Sequence, residues 1–250
     1  MFKKLLSLSL VMLTCLSCNS KKAEQIKVGD DDALRTKSGK EVSFLFIKHA
    51  SFVIQYDNLS IQIDPVSKME PATDYSTFPK ADFILVTHEH FDHFDKDAIA
   101  ALTGEKTKVI LNKKCAEMLG SGTAMSNGET LKLRDDITLE AVPAYNTTPD
   151  RQKFHPKDRD NGYVLTLDGL RIYIAGDTED IPEMEQLKDI DIAFLPCNQP
   201  YTMTPQQLAN AATMIKPKVV YPYHFSDTPV YDMKKALEGA KIKAIFRNMQ

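Results

Sequence analysis

Half of the chain's six histidines fall within six residues, in the string Thr87-His88-Glu89-His90-Phe91-Asp92-His93. Imidazole nitrogens and carboxylate oxygens gathered this way are ligands for a borderline cation such as zinc. The string follows Ala81-Asp82-Phe83-Ile84-Leu85-Val86, a run rich in β-branched and aromatic residues that predicts a buried strand. The histidines therefore sit on a loop leaving a strand end. If that loop is extended, His88 and His90 project to one side and can share one ion, while Asp92 and His93 turn toward a second. One loop cannot complete such a site, so the fold must carry further ligands to the same place.

Three candidates stand at the ends of other apolar runs: Asp64 after Ser60-Ile61-Gln62-Ile63, Asp177 in Ala175-Gly176-Asp177-Thr178, and His224 after Tyr221-Pro222-Tyr223. Taken singly, each has a plainer role as a turn, a helix cap or a structural histidine. Repeated polar residues at strand ends are what a site on a rigid scaffold looks like. The chain pattern is of mixed strands and helices. Val42–Ile47, Ser51–Tyr56 and Leu59–Ile63 predict an antiparallel meander. Helices are expected over Lys96–Leu102, Lys113–Leu119, Ile181–Leu187, from Thr204-Pro205-Gln206-Gln207 to Ile215, and over Val230–Glu238. Strands are expected at Lys108–Leu111, Thr130–Leu133, Ile137–Val142, Tyr163–Leu167, Arg171–Ala175, Asp191–Leu195, Val219–Tyr221 and Ile242–Phe246. No sequence repeat or interdomain linker interrupts them, so one layered α/β domain is expected over residues 41–250.

The N-terminus reads as a targeting segment. Lys3-Lys4 precedes an apolar stretch, Leu5 to Leu16, too short to span a bilayer comfortably. It ends in Cys15-Leu16-Ser17-Cys18, which resembles a bacterial lipoprotein signal with Cys18 as the lipidated residue. The expectation is an exported, membrane-anchored protein with a signal over 1–18 and a polar tether over 19–40. Cys115 and Cys197 remain in the body, with Cys197 expected as a buried free thiol. The net charge is −3 and the body has no long Lys/Arg run, so nucleic acid is not an expected partner. A small-molecule substrate is.

Together the motifs resemble the metallo-β-lactamase superfamily, over nearly all of the domain from His49 to His224. His49-Ala50-Ser51-Phe52 and Ile174-Ala175-Gly176-Asp177-Thr178 resemble the branch with ascorbate-phosphate lactonase and N-acylphosphatidylethanolamine phospholipase D. The resemblance implies an αββα sandwich of two mixed β-sheets flanked by helices, with a dinuclear site between the sheet edges. It implies that His88, His90 and a third histidine hold one metal, that Asp92, His93 and His224 hold the other, and that Asp177 bridges them. Asp64 would orient a ligand histidine. The third histidine departs from the family pattern. Many relatives place it just after a strand ending in Pro-Ala-x, where this chain has Val142-Pro143-Ala144-Tyr145-Asn146. Asparagine is a poor zinc ligand, so the position is assigned to His155, the one histidine in the following loop, with Asn146 or water as the alternative.

The reaction expected of such a site is hydrolysis by a metal-bridging hydroxide on a lactone, another ester or a phosphodiester, with Asp92 and Asp177 as catalytic residues and two zinc ions (or Mn2+ or Fe) as cofactors. Asp177 argues against a true β-lactamase, which lacks a bridging aspartate. His90 argues against the di-iron relatives, which carry Glu there. A mono-iron persulfide dioxygenase and a non-catalytic metal-binding lipoprotein are the competing readings. His49 either lines the pocket or is structural. Gln199 and Tyr201 are candidates to face the pocket, and Arg151, Lys153, Lys157 and Arg159 lie on a charged loop beside it. No GxSxG elbow, phosphate-binding loop or dinucleotide fingerprint offers a rival chemistry.

Overall fold

The computed structural model describes residues 33–249. The signal segment, Cys18 and residues 19–32 of the tether lie outside the described residues. Two sheets face one another. The first runs β1 (Ala33–Arg35), β2 (Glu41–Lys48), β3 (Ser51–Tyr56), β4 (Leu59–Ile63), β5 (Phe83–Val86), β6 (Lys108–Asn112) and β7 (Thr123–Met125), in that spatial order. The second runs β13 (Val219–Tyr223), β12 (Ile192–Pro196), β11 (Leu170–Ile174), β10 (Asp160–Leu167), β9 (Ile137–Ala144) and β8 (Thr130–Arg134). Each sheet begins as an antiparallel meander and continues with parallel strands after β4 or β11. The halves thus repeat a topology that no sequence repeat announces.

β5 shows why the run before the histidines must be apolar throughout. It is a central parallel strand, buried on both faces. Phe83 and Leu85 enter the core between the sheets, while Ile84 and Val86 meet α1 (Lys96–Leu102) and α2 (Lys113–Leu119) on the outer face. Between the sheets Phe52 stacks on Phe194 with centroids 4.3 Å apart, and Phe44 meets Phe194 edge-on at 5.4 Å. α3 (Pro205–Ile215) and α4 (Val230–Gly239) add Leu208, Ala211, Met233 and Leu237 to that core. α3 opens on the expected capping box, with Thr204 and Gln207 bonded to one another's backbone N–H.

Four expectations change. Residues 33–40 belong to the fold rather than to a tether: β1 pairs with β2, and the Thr36 hydroxyl and Ser38 N–H donate to Asp168 at the β10–β11 turn. Ile181–Leu187 is a 3-10 turn over Pro182–Gln186, closed by the Leu187 N–H to Met184. Ile242–Phe246 forms one bridge, Val220 to Ala244, at the open edge of the second sheet. β7 is a strand that its Gly-flanked sequence did not announce.

Candidate metal centre

The candidate side chains reach the same rim, all but His155 from a strand end. Asp64 follows β4, the His88–His93 loop follows β5, and His155 lies on the loop joining β9 to β10. Asp177 follows β11, and His224 follows β13. Asp64 and His224 take left-handed backbone angles, φ 39 and φ 45, which non-glycine residues adopt at a cost. Gly176 is required as glycine: its φ is 65, and a Cβ would sit 2.9 Å from the Asn161 carbonyl and 3.2 Å from Thr87. That close approach is what turns Asp177 back into the centre.

Three overlapping donor groups form at the centre. Nitrogens of His88, His90 and His155 converge in one; nitrogens of His93, His224 and His49 converge with an Asp92 oxygen in another; and His88 and His93 converge with Asp177 itself in the third. The Oδ2 atom of Asp177 is 3.3 Å from His155 Nε2 and 3.2 Å from His224 Nε2, and its Oδ1 is 3.2 Å from His93 Nε2. His155 rather than Asn146 joins the first group. Its ring lies 4.9 Å from that of His88 and 4.8 Å from that of His90. The Asn146 amide nitrogen donates to the Tyr201 and Arg151 carbonyls at 2.8 and 3.2 Å, while its buried Oδ1 has no hydrogen-bond partner among the described residues.

Outer contacts fix how the imidazoles point. His93 Nδ1–H donates to Asp64 Oδ2 at 2.8 Å, leaving Nε2 to face Asp177. Asp64 also accepts from the Thr87 N–H and hydroxyl, and Thr87 Oγ1 lies 3.0 Å from His88 Nδ1. His155 Nδ1–H donates to Asp160 Oδ2 at 3.0 Å, and Arg159 braces Asp160 from behind. Glu179, fully buried, accepts from the Thr147 N–H and hydroxyl and from the Thr148 N–H, at 2.7–2.8 Å, and so holds the loop that carries His155. Sequence reading missed Asp160, Glu179 and Thr87. Their signal is position alone: each flanks a strand end that also bears a ligand candidate.

The electrostatics call for positive charge. Burial works against the Asp177 anion, yet His224 and His93 outweigh it and hold this carboxyl well below its usual range. Burial likewise opposes a proton on His224, but Asp177 and Asp92 lift it to about 9. His93 is raised for the same reasons. Burial drives His88 down, with His93 adding to the effect, and burial and His224 take His49 to about 4. Protons on His93 and His224 and a divalent cation are therefore alternatives for the same negative pocket. Four buried atoms of the centre find no hydrogen-bond partner among the described residues: His93 Nε2, Asp177 Oδ1 and both nitrogens of His224. Such atoms are rare in folded proteins, and a cation ligated by them satisfies three of the four at once. The donor set is the nitrogen and carboxylate mixture that zinc and its neighbours take.

The remaining candidates stay outside. Gln199 turns its amide to the Thr202 carbonyl. Tyr201 packs against Phe154, 44% exposed. Arg151, Lys157 and Arg159 are paired with Glu179, Glu183 and Asp160. Cys115 and Cys197 are both free and buried. A groove of about 600 Å3 runs beside the histidine loop, lined by Val66, Met69, Glu89, Phe91, Phe94 and Met118; no candidate ligand lines it. Entry to the centre itself is over the half-buried His90 and Asp92, since the other candidate ligands are buried.

Residues 43–224 match the beta-lactamase superfamily domain family. A UPF0173 metal-dependent hydrolase of Nanoarchaeum equitans is 30% identical over 215 residues, 81% of this chain and 95% of that protein. Its counterpart in Pyrococcus furiosus is 32% identical over 218 residues, 82% of this chain and 95% of that protein. The crystal structure of a Parabacteroides distasonis protein assigned as a metal-dependent hydrolase superposes with a TM-score of 0.84 at 57% identity, covering 88% of this chain and 98% of that one. With the two facing sheets and the histidine–aspartate centre at their rim, these relationships make the chain a member of the metallo-β-lactamase superfamily and a metal-dependent hydrolase.

Proposed function

We propose that the protein is a dinuclear hydrolase, with zinc as the metal, acting on a lactone, another ester or a phosphodiester. His88, His90 and His155 would hold one ion, Asp92, His93 and His224 the other, and Asp177 would bridge them. The observation that supports this most is the place of Asp177, whose two oxygens lie within 3.3 Å of His155, His224 and His93. Two cations at such a centre lower the pKa of bound water toward neutrality and stabilise the anion that develops on the electrophile. The chain's own groups set up the rest. Asp64, Thr87 and Asp160 meet the Nδ1 atoms of His93, His88 and His155, so that the Nε2 of these three faces inward. Asp92 is the carboxylate on the open side, with 19% of its side chain exposed. Its neighbours His93, His224 and His49 keep it ionised, overcoming its burial, so it stands at the mouth of the centre as a charged ligand and hydrogen-bond acceptor for water.

The test is a panel of lactones, phosphodiesters, thioesters and β-lactams, run on metal-analysed protein. The expected result is turnover on one class, lost on chelation, restored by zinc and absent in Asp177→Ala. Metal-loaded protein that turns over no hydrolysable class would favour a binding role. Export and anchorage at Cys18 belong to the same proposal. Cys18→Ala should move the protein from the membrane to the soluble fraction, and unchanged partitioning would refute the anchor.

A further inference from the structure

The turn between β2 and β3 holds only His49 and Ala50, because Lys48 already pairs with Ser51. Turns this tight favour positive φ, which Gly, Asn and Asp supply most readily. This one uses histidine, at φ 49. That side chain is nearly buried, with Nε2 3.1 Å from Asp92 Oδ2. A carboxylate can only accept, so the imidazole is the donor. The ring also lies on His224, with centroids 3.7 Å apart, and the His49 carbonyl accepts the His224 N–H at 2.9 Å. The His49 N–H in turn donates to the Met249 carbonyl, tying the turn to the C-terminal segment.

We propose that His49 is a positioning residue for the second metal: its Nε2–H orients Asp92 and its backbone carbonyl places His224, joining ligands that the two sheets deliver separately. The proposal rests on the two-metal reading. Partners of this kind typically change metal affinity about 10- to 100-fold when lost. His49→Asn keeps a residue that tolerates the left-handed turn but is too short to reach Asp92. His49→Gln places an amide donor close to where Nε2 lies.

The experiment is a zinc titration against a competing chelator, with thermal unfolding of the metal-free chains alongside. Wild type should take two ions. His49→Asn should weaken the second by about 10- to 100-fold, leave the first unchanged, and keep the metal-free Tm within about 2 °C. His49→Gln should recover most of the lost affinity. The proposal is overturned if His49→Asn binds the second ion as wild type does. It is also overturned if both ions weaken together with a fall in metal-free Tm, which is a structural role, or if His49→Gln does no better than His49→Asn. A wild-type chain that saturates at one ion refutes the two-metal reading itself, whatever the variants do.

Discussion

The metal-free protein should lose stability as pH rises through the range in which most proteins are steady. His224 is fully buried against Asp177 and Asp92, and its proton leaves at about 9 instead of the ordinary 6.5. Below pH 6.5 both folded and unfolded chains carry that proton, and its full contribution is present. Between 6.5 and about 9 the unfolded chain gives it up first, so the contribution drains away. The gap corresponds to roughly 3 kcal/mol. His93 and His155 are raised too and act in the same direction. His49, His88 and His90 are lowered, so above pH 6.5 they are neutral in both states and add nothing. For a domain of this size, 3 kcal/mol is a fall in Tm on the order of 5–10 °C. The assay is thermal unfolding of chelated protein across this pH range, beside the zinc-loaded protein. Zinc needs the same nitrogens unprotonated, so its stabilising effect should grow with pH and the two curves should diverge. A chelated protein whose Tm is flat or rises between pH 6.5 and 9 would refute the charge argument.

His155→Ala should halve the metal content and abolish turnover, whereas Asn146→Ala should leave the metal content intact; elemental analysis of both variants separates the two assignments. Asp160→Asn, which removes the acceptor of His155 Nδ1–H, should weaken metal binding by about 10- to 100-fold while the chain stays folded, read by chelator competition. Gly176→Ala should cost about 2–4 kcal/mol in a denaturant titration, because the left-handed backbone and the approach of the Asn161 carbonyl both forbid a Cβ; an unchanged midpoint would mean that the turn can move.

The sequence showed most of this centre because its candidate ligands sit mainly at strand ends, and strand ends are where apolar periodicity stops. His88, His90, Asp92, His93, Asp177 and His224 could each be placed that way, and the fold brings all of them to one rim. Asp64 was legible as a partner rather than a ligand, and it accepts from His93. His155 was harder: it lies in a loop without periodicity, and only the arrival of its ring beside His88 and His90 separates it from Asn146. Asp160 and Glu179 were not legible, since a carboxylate that holds a loop looks in sequence like any surface charge; burial marks them. His49 was left between lining the pocket and a structural role, because nothing in its sequence context shows that His224 packs on it. β1 and β7 were missed because three residues carry too little pattern to show a period, and both are fixed by pairing along a neighbour.

The most direct test of the account is anomalous diffraction from zinc-loaded crystals, collected on both sides of the zinc edge. The account predicts two peaks flanking Asp177, one within reach of His88, His90 and His155 and the other of Asp92, His93 and His224. A single peak at full zinc loading, or a second ion that does not touch Asp177, would contradict it.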